Sequence, residues 1–225
     1  MKTFYLHIDL GDLIYSLYFA KHLGIENYLL DTNKRLCKFD EAAYEFVATF
    51  LKQQSYIESV EKYNHQQFDL DYAKHPEDLP VKIGTNLVEY HSSKFNIDWK
   101  SVSGPWLTSS SLNFDKKIVI NRTSRYHGNY LMYHDFLKHV NIKDCLFVGL
   151  ENEWKTFCRE FKKPIDFFHV SDCLDLASAI NGCDTFLGNQ SLSCAIATGL
   201  GKNCIVEVGN DCANYIFNSK KMIYF

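Results

Sequence analysis

The chain has 225 residues, long for one small domain and short for two full ones. It is 46% hydrophobic and 23% charged, as soluble globular proteins are, and its 17 phenylalanines and 14 tyrosines can fill a large core. A net charge of −3 gives no ground for a nucleic-acid partner, and no run of about 18 apolar residues is present to span a membrane.

The first residues, MKTFYLHIDLGD, hold no long apolar stretch and meet an acid at Asp9, so no signal peptide and a cytoplasmic location are expected. A strand is expected over 3–9, a turn at Gly11, and a helix over 13–23 with Ile14, Leu17 and Tyr18 at helical spacing. Gly24 ends that helix. A short strand follows over 28–30, a helix over 39–53 with Ala43, Phe46, Val47 and Phe50 on one face, and a strand over 56–60. From Gln66 to Pro80 the pattern fades into polar turns around Pro76 and Pro80; 86–95 reads as helical and Gly104-Pro105-Trp106 as a turn.

The second half is more regular. Strands are expected over 117–121, 145–149, 165–170, 185–187 and 203–208, and helices over 133–140, 151–161, 173–181 and 190–200. Strands alternating with helices at this spacing predict right-handed βαβ units and parallel sheets, an α/β fold. The halves divide near 107–115, where the serine-rich run 108–113 reads as a linker, so two Rossmann-like domains are expected over 1–107 and 115–225. The eight cysteines form no CxxC pair and mostly lie in apolar segments, which predicts reduced, buried thiols and no metal site.

In such sheets ligands bind beyond the carboxyl ends of strands, so the residues there are the candidates. Gly11 and Asp12 follow the first strand. Asp12 suits a helix N-cap; as a functional group it is a general base or a holder of a substrate hydroxyl. After the strand over 117–121 come Arg122, Arg125 and His127, with two hydroxyls between them. Arginines at a strand end can grip phosphate with two parallel hydrogen bonds. Glu151 opens a helix, where an acid suits the dipole, and is a candidate for a ribose or sugar hydroxyl. Asn189, Gln190 and Ser191 stand before a helix of small residues. Close packing explains its alanines, and an anion at its first turn explains the polar start.

The run LDLASAINGCDTFLGNQS from Leu174 to Ser191, followed by AIATGLGK from Ala195, resembles the nucleotide-sugar site of GT-B glycosyltransferases, and most of all the heptosyltransferase-like group of glycosyltransferase family 9. Gly11-Asp12 and the helix after it look like that group's first turn. Here Asn189-Gln190-Ser191-Leu192 stands where the group has an aspartate-serine-glycine turn. The resemblance implies two Rossmann-like domains face to face, the first on the acceptor side and the second binding a nucleotide-sugar. It implies metal-independent, inverting transfer of a sugar to an acceptor hydroxyl of unspecified class, with no cofactor beyond the nucleotide-sugar co-substrate. Asp12 would be the base; Arg122, Arg125, Asn189, Gln190 and Ser191 would bind the donor phosphates; Gly11, His127 and Glu151 would touch substrate. The alternatives are a non-catalytic nucleotide-sugar binder or assembly protein of the same fold, and an epimerase acting on the same donors.

Overall fold

The computed structural model describes residues 1–33, 39–73, 81–98, 104–128 and 131–225. The first half contains β1 (Lys2–Leu6), α1 (Leu10–Leu23), β2 (Ile25–Leu30), α2 (Glu41–Lys52), β3 (Ser59–Lys62), β4 (Leu70–Asp71) and α3 (Leu87–Phe95). The second contains β5 (Ile118–Asn121), α4 (Leu131–His139), β6 (Cys145–Gly149), α5 (Glu151–Phe161), β7 (Asp166–His169), α6 (Cys173–Asn181), β8 (Thr185–Asn189), α7 (Leu192–Gly199), β9 (Asn203–Glu207) and β10 (Met222–Tyr224), with one turn of 3₁₀ helix at Ile142–Asp144.

Local chemistry sets most of these boundaries. Asp40 accepts a hydrogen bond from the Ala43 amide at 2.9 Å and starts α2, and Asp172 does the same for α6 through Asp175 at 2.8 Å. Gly24 closes α1 in the left-handed region at φ 63°. α1 begins earlier than its pattern suggests: Gly11 lies inside the first helical turn and not in a tight turn before it. Two strands escape the sequence pattern, β4 and β10, of two and three residues. The turns expected around Pro76 and Pro80, and Cys37, lie outside the described residues.

Every strand pairing among the described residues is parallel. The first sheet has the order β3-β2-β1-β4 and the second β10-β9-β8-β5-β6-β7. In the first the order reverses between β1 and β4, and in the second between β5 and β8. Loops leaving a sheet at such a point diverge to opposite faces and open a crevice.

The two sheets meet through helices. α1 packs on α7 and α2 on α6, and one cluster of buried residues runs from Phe4 and Leu6 through Leu17 and Phe50 to Ala195, Ile196 and Val206. α7 is enclosed on all sides, with Ser193 through Gly199 buried. Its small residues therefore serve three contacts, with its own sheet, with α6 and with α1. The serine run is no slack tether. Thr108 exchanges hydrogen bonds with the Gln54 side chain (2.9 and 3.2 Å), Ser110 meets Ser178 at 2.8 Å and Asn181 reaches Ser109 at 2.8 Å. Trp106 and Leu107 just before it are buried. A polar composition here matches the polar helix ends it joins.

Of the described cysteines, five are buried and two are half-buried, all as free thiols. Among the described residues no helix is long and apolar enough to cross a membrane, and no three His, Cys, Asp or Glu side chains converge as metal ligands.

Candidate functional site

The two crevices face each other. Asp9 and the start of α1 come from the β1 side; the loop 122–128 and residues 189–191 come from the β5 and β8 side. Between them lies a cavity of about 150 Å³ lined by Asp9, Gly11, Asp12, Tyr15, Leu87, Arg125, Tyr126, Gln190, Ser191, Leu192, Ala213 and Tyr215. A second cavity of about 380 Å³ adjoins it, sharing Asp9, Gly11, Arg125, Ser191 and Leu192 and adding Leu10, Phe39, Ala43 and Thr123.

Asp12 is half-buried on the wall of the first cavity. Burial pushes its carboxyl up from 3.8 to about 6, and the charge of Asp9 adds to the rise; a hydrogen bond from Tyr215 and the charge of Arg125 oppose it. The Asp9 side chain caps nothing at the helix start, although Asp9 is the N-cap residue of α1. It pairs instead with Arg125, Nη1 to Oδ2, at 3.4 Å across the crevice. Arg125 is otherwise exposed and lies over the Tyr126 ring at 5.1 Å. Tyr126 takes φ 56°, an uncommon backbone region for a bulky side chain.

Ser191 is the N-cap of α7: its hydroxyl accepts from the Cys194 amide at 3.3 Å and donates to Asn121 Oδ1 at 3.0 Å. The one donor of this side chain is thereby spent. What α7 offers the cavity is its first turn, whose N–H groups have no intrahelical acceptor and carry the positive end of the dipole. Gly11 sits against this turn. A Cβ at Gly11 would lie 3.7 Å from the Leu192 nitrogen, ordinary contact, so the glycine is not demanded by space.

The remaining expected residues have other commitments. Arg122 is buried and fully engaged: Nε and Nη2 meet Glu207 at 2.8 and 3.1 Å, and Nη1 meets Glu160 at 3.1 Å. Its guanidinium also lies 5.1 Å over the Tyr133 ring. It lines a separate cavity of about 120 Å³ beside α5, where His127 also points, and is absent from the wall shared with Asp12. His127 contacts the Thr123 carbonyl at 2.6 Å. Asn189 is buried and holds the loop after β5. Its Oδ1 accepts from the Thr123 amide at 2.9 Å, and its Nδ2 donates to the Thr123 carbonyl at 3.2 Å and to the Arg125 carbonyl. Gln190 spends both side-chain atoms on the Tyr215 backbone at 3.0 Å each. Glu151 is exposed, paired with Lys155 at 2.7 Å, and lines none of these three cavities.

Three contributors had no sequence signal of their own. Asn121 braces Ser191 and donates to the Val148 carbonyl at 2.9 Å. Glu153 accepts from the Leu150 amide at 3.2 Å, lines the cavity beside α5 together with Ser124, and has its carboxyl raised by burial. Tyr215 lies in an irregular stretch after β9 that has no periodicity to read.

No family model and no curated protein sequence matches the chain. Solved structures do. A glycosyl transferase family 9 protein from Veillonella parvula DSM 2008 superposes with a TM-score of 0.63 at 10% identity, covering 100% of this chain and 86% of that one. The E. coli heptosyltransferase WaaC with ADP-2-deoxy-2-fluoro heptose gives 0.63 at 10% identity, covering 100% and 93%. A dodecameric iron-containing heptosyltransferase, TibC, in complex with ADP-D-β-D-heptose gives 0.55 at 10% identity, covering 98% and 62%. The chain has the fold of the family 9 heptosyltransferases. That is a GT-B-like α/β architecture with two parallel sheets, and at this identity the likeness speaks for the fold.

Proposed function

We propose that the protein is a glycosyltransferase that moves a sugar from a nucleotide-sugar donor to an acceptor hydroxyl with inversion. The observation that carries this is the shared cavity: Asp12 lies on one wall, with Arg125 and the first turn of α7 on the others. Asp12 takes the proton of the acceptor hydroxyl, whose oxygen attacks the anomeric carbon as the bond from that carbon to the diphosphate oxygen breaks. Negative charge grows on the leaving diphosphate. Arg125 and the α7 N–H groups face it, so the proposal calls on no metal for this charge. Since structural neighbours were solved with ADP or ADP-heptose analogues, ADP is the first nucleotide to try. Arg122, Asn189 and Gln190 act in this scheme as the frame that places Arg125 and the helix start.

Calorimetric titration with ADP, GDP, UDP and CDP tests the reading. One nucleotide is expected to bind, and Arg125→Ala to weaken it roughly tenfold or more, as loss of a charge-assisted contact does. Asp12→Asn should keep that binding and lose turnover. Binding without turnover by the wild-type protein would favour the non-catalytic binder, and no binding by any nucleotide would overturn the donor site.

A further inference from the structure

Residues 214–217 lie outside both sheets, yet their backbone bonds alternate in direction as those of a strand do. Asn214 forms an isolated parallel bridge with Asn86: its amide donates to the Thr85 carbonyl at 3.0 Å, and its carbonyl accepts from the Leu87 amide at 2.9 Å. Tyr215 turns the other way. Gln190 Oε1 accepts from its amide and Gln190 Nε2 donates to its carbonyl, both at 3.0 Å. Ile216 turns back, and Asn86 Oδ1 accepts from its amide while Asn86 Nδ2 donates to its carbonyl, both at 3.1 Å. The Phe217 amide donates to the Tyr224 hydroxyl of β10 at 2.8 Å. Asn214 and Ile216 are thus tied to the first half and Tyr215 and Phe217 to the second. Two side-chain amides, each both donor and acceptor, stand in for strand neighbours.

We propose that Asn86 and Gln190 are the two jaws of a latch: they clasp adjacent residues of one segment from opposite halves of the protein, and so fix the wall that Ala213 and Tyr215 give the cavity beside Asp12. Neither half can shift along this wall without breaking the bonds of its own jaw. The Tyr15 ring of α1 backs the wall, stacked on Tyr215 with centroids 3.9 Å apart. Asn86 does not line the cavity, so it is a positioning residue that acts through the latched segment. Its part in the reaction rests on the glycosyl-transfer reading. The latch itself can be tested without any substrate.

Asn86→Asp is the selective change. Asn86 also caps α3, its Oδ1 accepting from the Val88 amide at 3.0 Å. An aspartate keeps that cap and can still accept from the Ile216 amide. Its other oxygen then meets the Ile216 carbonyl, acceptor against acceptor, and that side of the jaw is lost.

Amide hydrogen exchange followed by NMR is the test. In Asn86→Asp the Tyr215 amide is expected to exchange about tenfold faster, although its own partner Gln190 is untouched. Gln190→Met, a swap of similar volume, should speed the Ile216 amide by a like factor with Asn86 in place, and it stands in if Asn86→Asp does not fold. Amides that loosen only beside the substituted side chain, with the neighbour unmoved, overturn the latch. The functional arm is calorimetric titration with whichever of ADP, GDP, UDP and CDP the wild-type protein binds best. Asn86→Asp is expected to weaken that nucleotide about fivefold from outside the cavity. Unchanged affinity in a variant whose Tyr215 amide has loosened overturns the positioning role. If the wild-type protein binds none of the four, the glycosyl-transfer reading and the part of Asn86 in it both fall, and the exchange result still decides the latch.

Discussion

Asp12 carries a cost that can be measured. The folded protein holds its proton up to about pH 6, whereas an ordinary aspartate releases it near 3.8. Between these values the native state binds more protons than the unfolded chain, so stability falls as pH rises through this window and stays lowered above it. Asp12→Asn is therefore expected to stabilise the protein by roughly 1–2 kcal/mol at pH 8, with the gain vanishing towards pH 4. Chemical denaturation of both proteins at the two pH values checks this. A base with this midpoint also predicts turnover that drops tenfold per unit below about pH 6. Arg122 is the opposite case. Its side chain holds Glu207, a carboxylate with no exposed surface, so Arg122→Met leaves a buried charge without its main partner. The expected loss is about 3–5 kcal/mol, read as a lower denaturation midpoint, far more than removal of exposed Arg125 would cost. From sequence alone the two arginines look alike, three residues apart in one loop. What separates them is the partner each meets, Glu207 or Asp9, both distant in the chain.

At the scale of elements, legibility tracked how local the cause was. The helices Glu151–Phe161 and Cys173–Asn181 were readable to their ends because periodicity and capping are written in adjacent residues. β4 and β10 were not, because strands of two and three residues exist through their pairing with β1 and β9. The role of α7 was half legible. Its small residues announced close packing, but one of the partners they pack against is α1, from the other end of the chain. The end of β8 shows how tight the sheet is at the site. A Cβ on Gly188 would lie 2.1 Å from the Asn121 carbonyl oxygen, so the two central strands could not keep their spacing. Gly188→Ala is expected to cost about 2–4 kcal/mol and to weaken nucleotide binding together with stability, since Asn121 also braces Ser191. Thermal denaturation with and without ADP would show both effects.

Over the whole molecule, the shared core decides how the protein comes apart. Residues of both sheets belong to one buried cluster, and the segment between them is fixed at Gln54, Ser178 and Asn181. One calorimetric transition is expected, with equal van't Hoff and calorimetric enthalpies. Two resolved transitions would contradict it. The same packing has a consequence in time. Tyr15 of α1 reaches Cys194 of α7, 179 residues further on. On a ribosome adding about 5–20 residues per second, the apolar face of α1 waits roughly ten to forty seconds for its partner to be made. During that interval the first sheet can form, but one side of its best helix stays bare. The helix made of the smallest side chains thus arrives late to cover one of the most apolar surfaces, and a nascent chain of this protein is a natural client for whatever shields such surfaces in the cell.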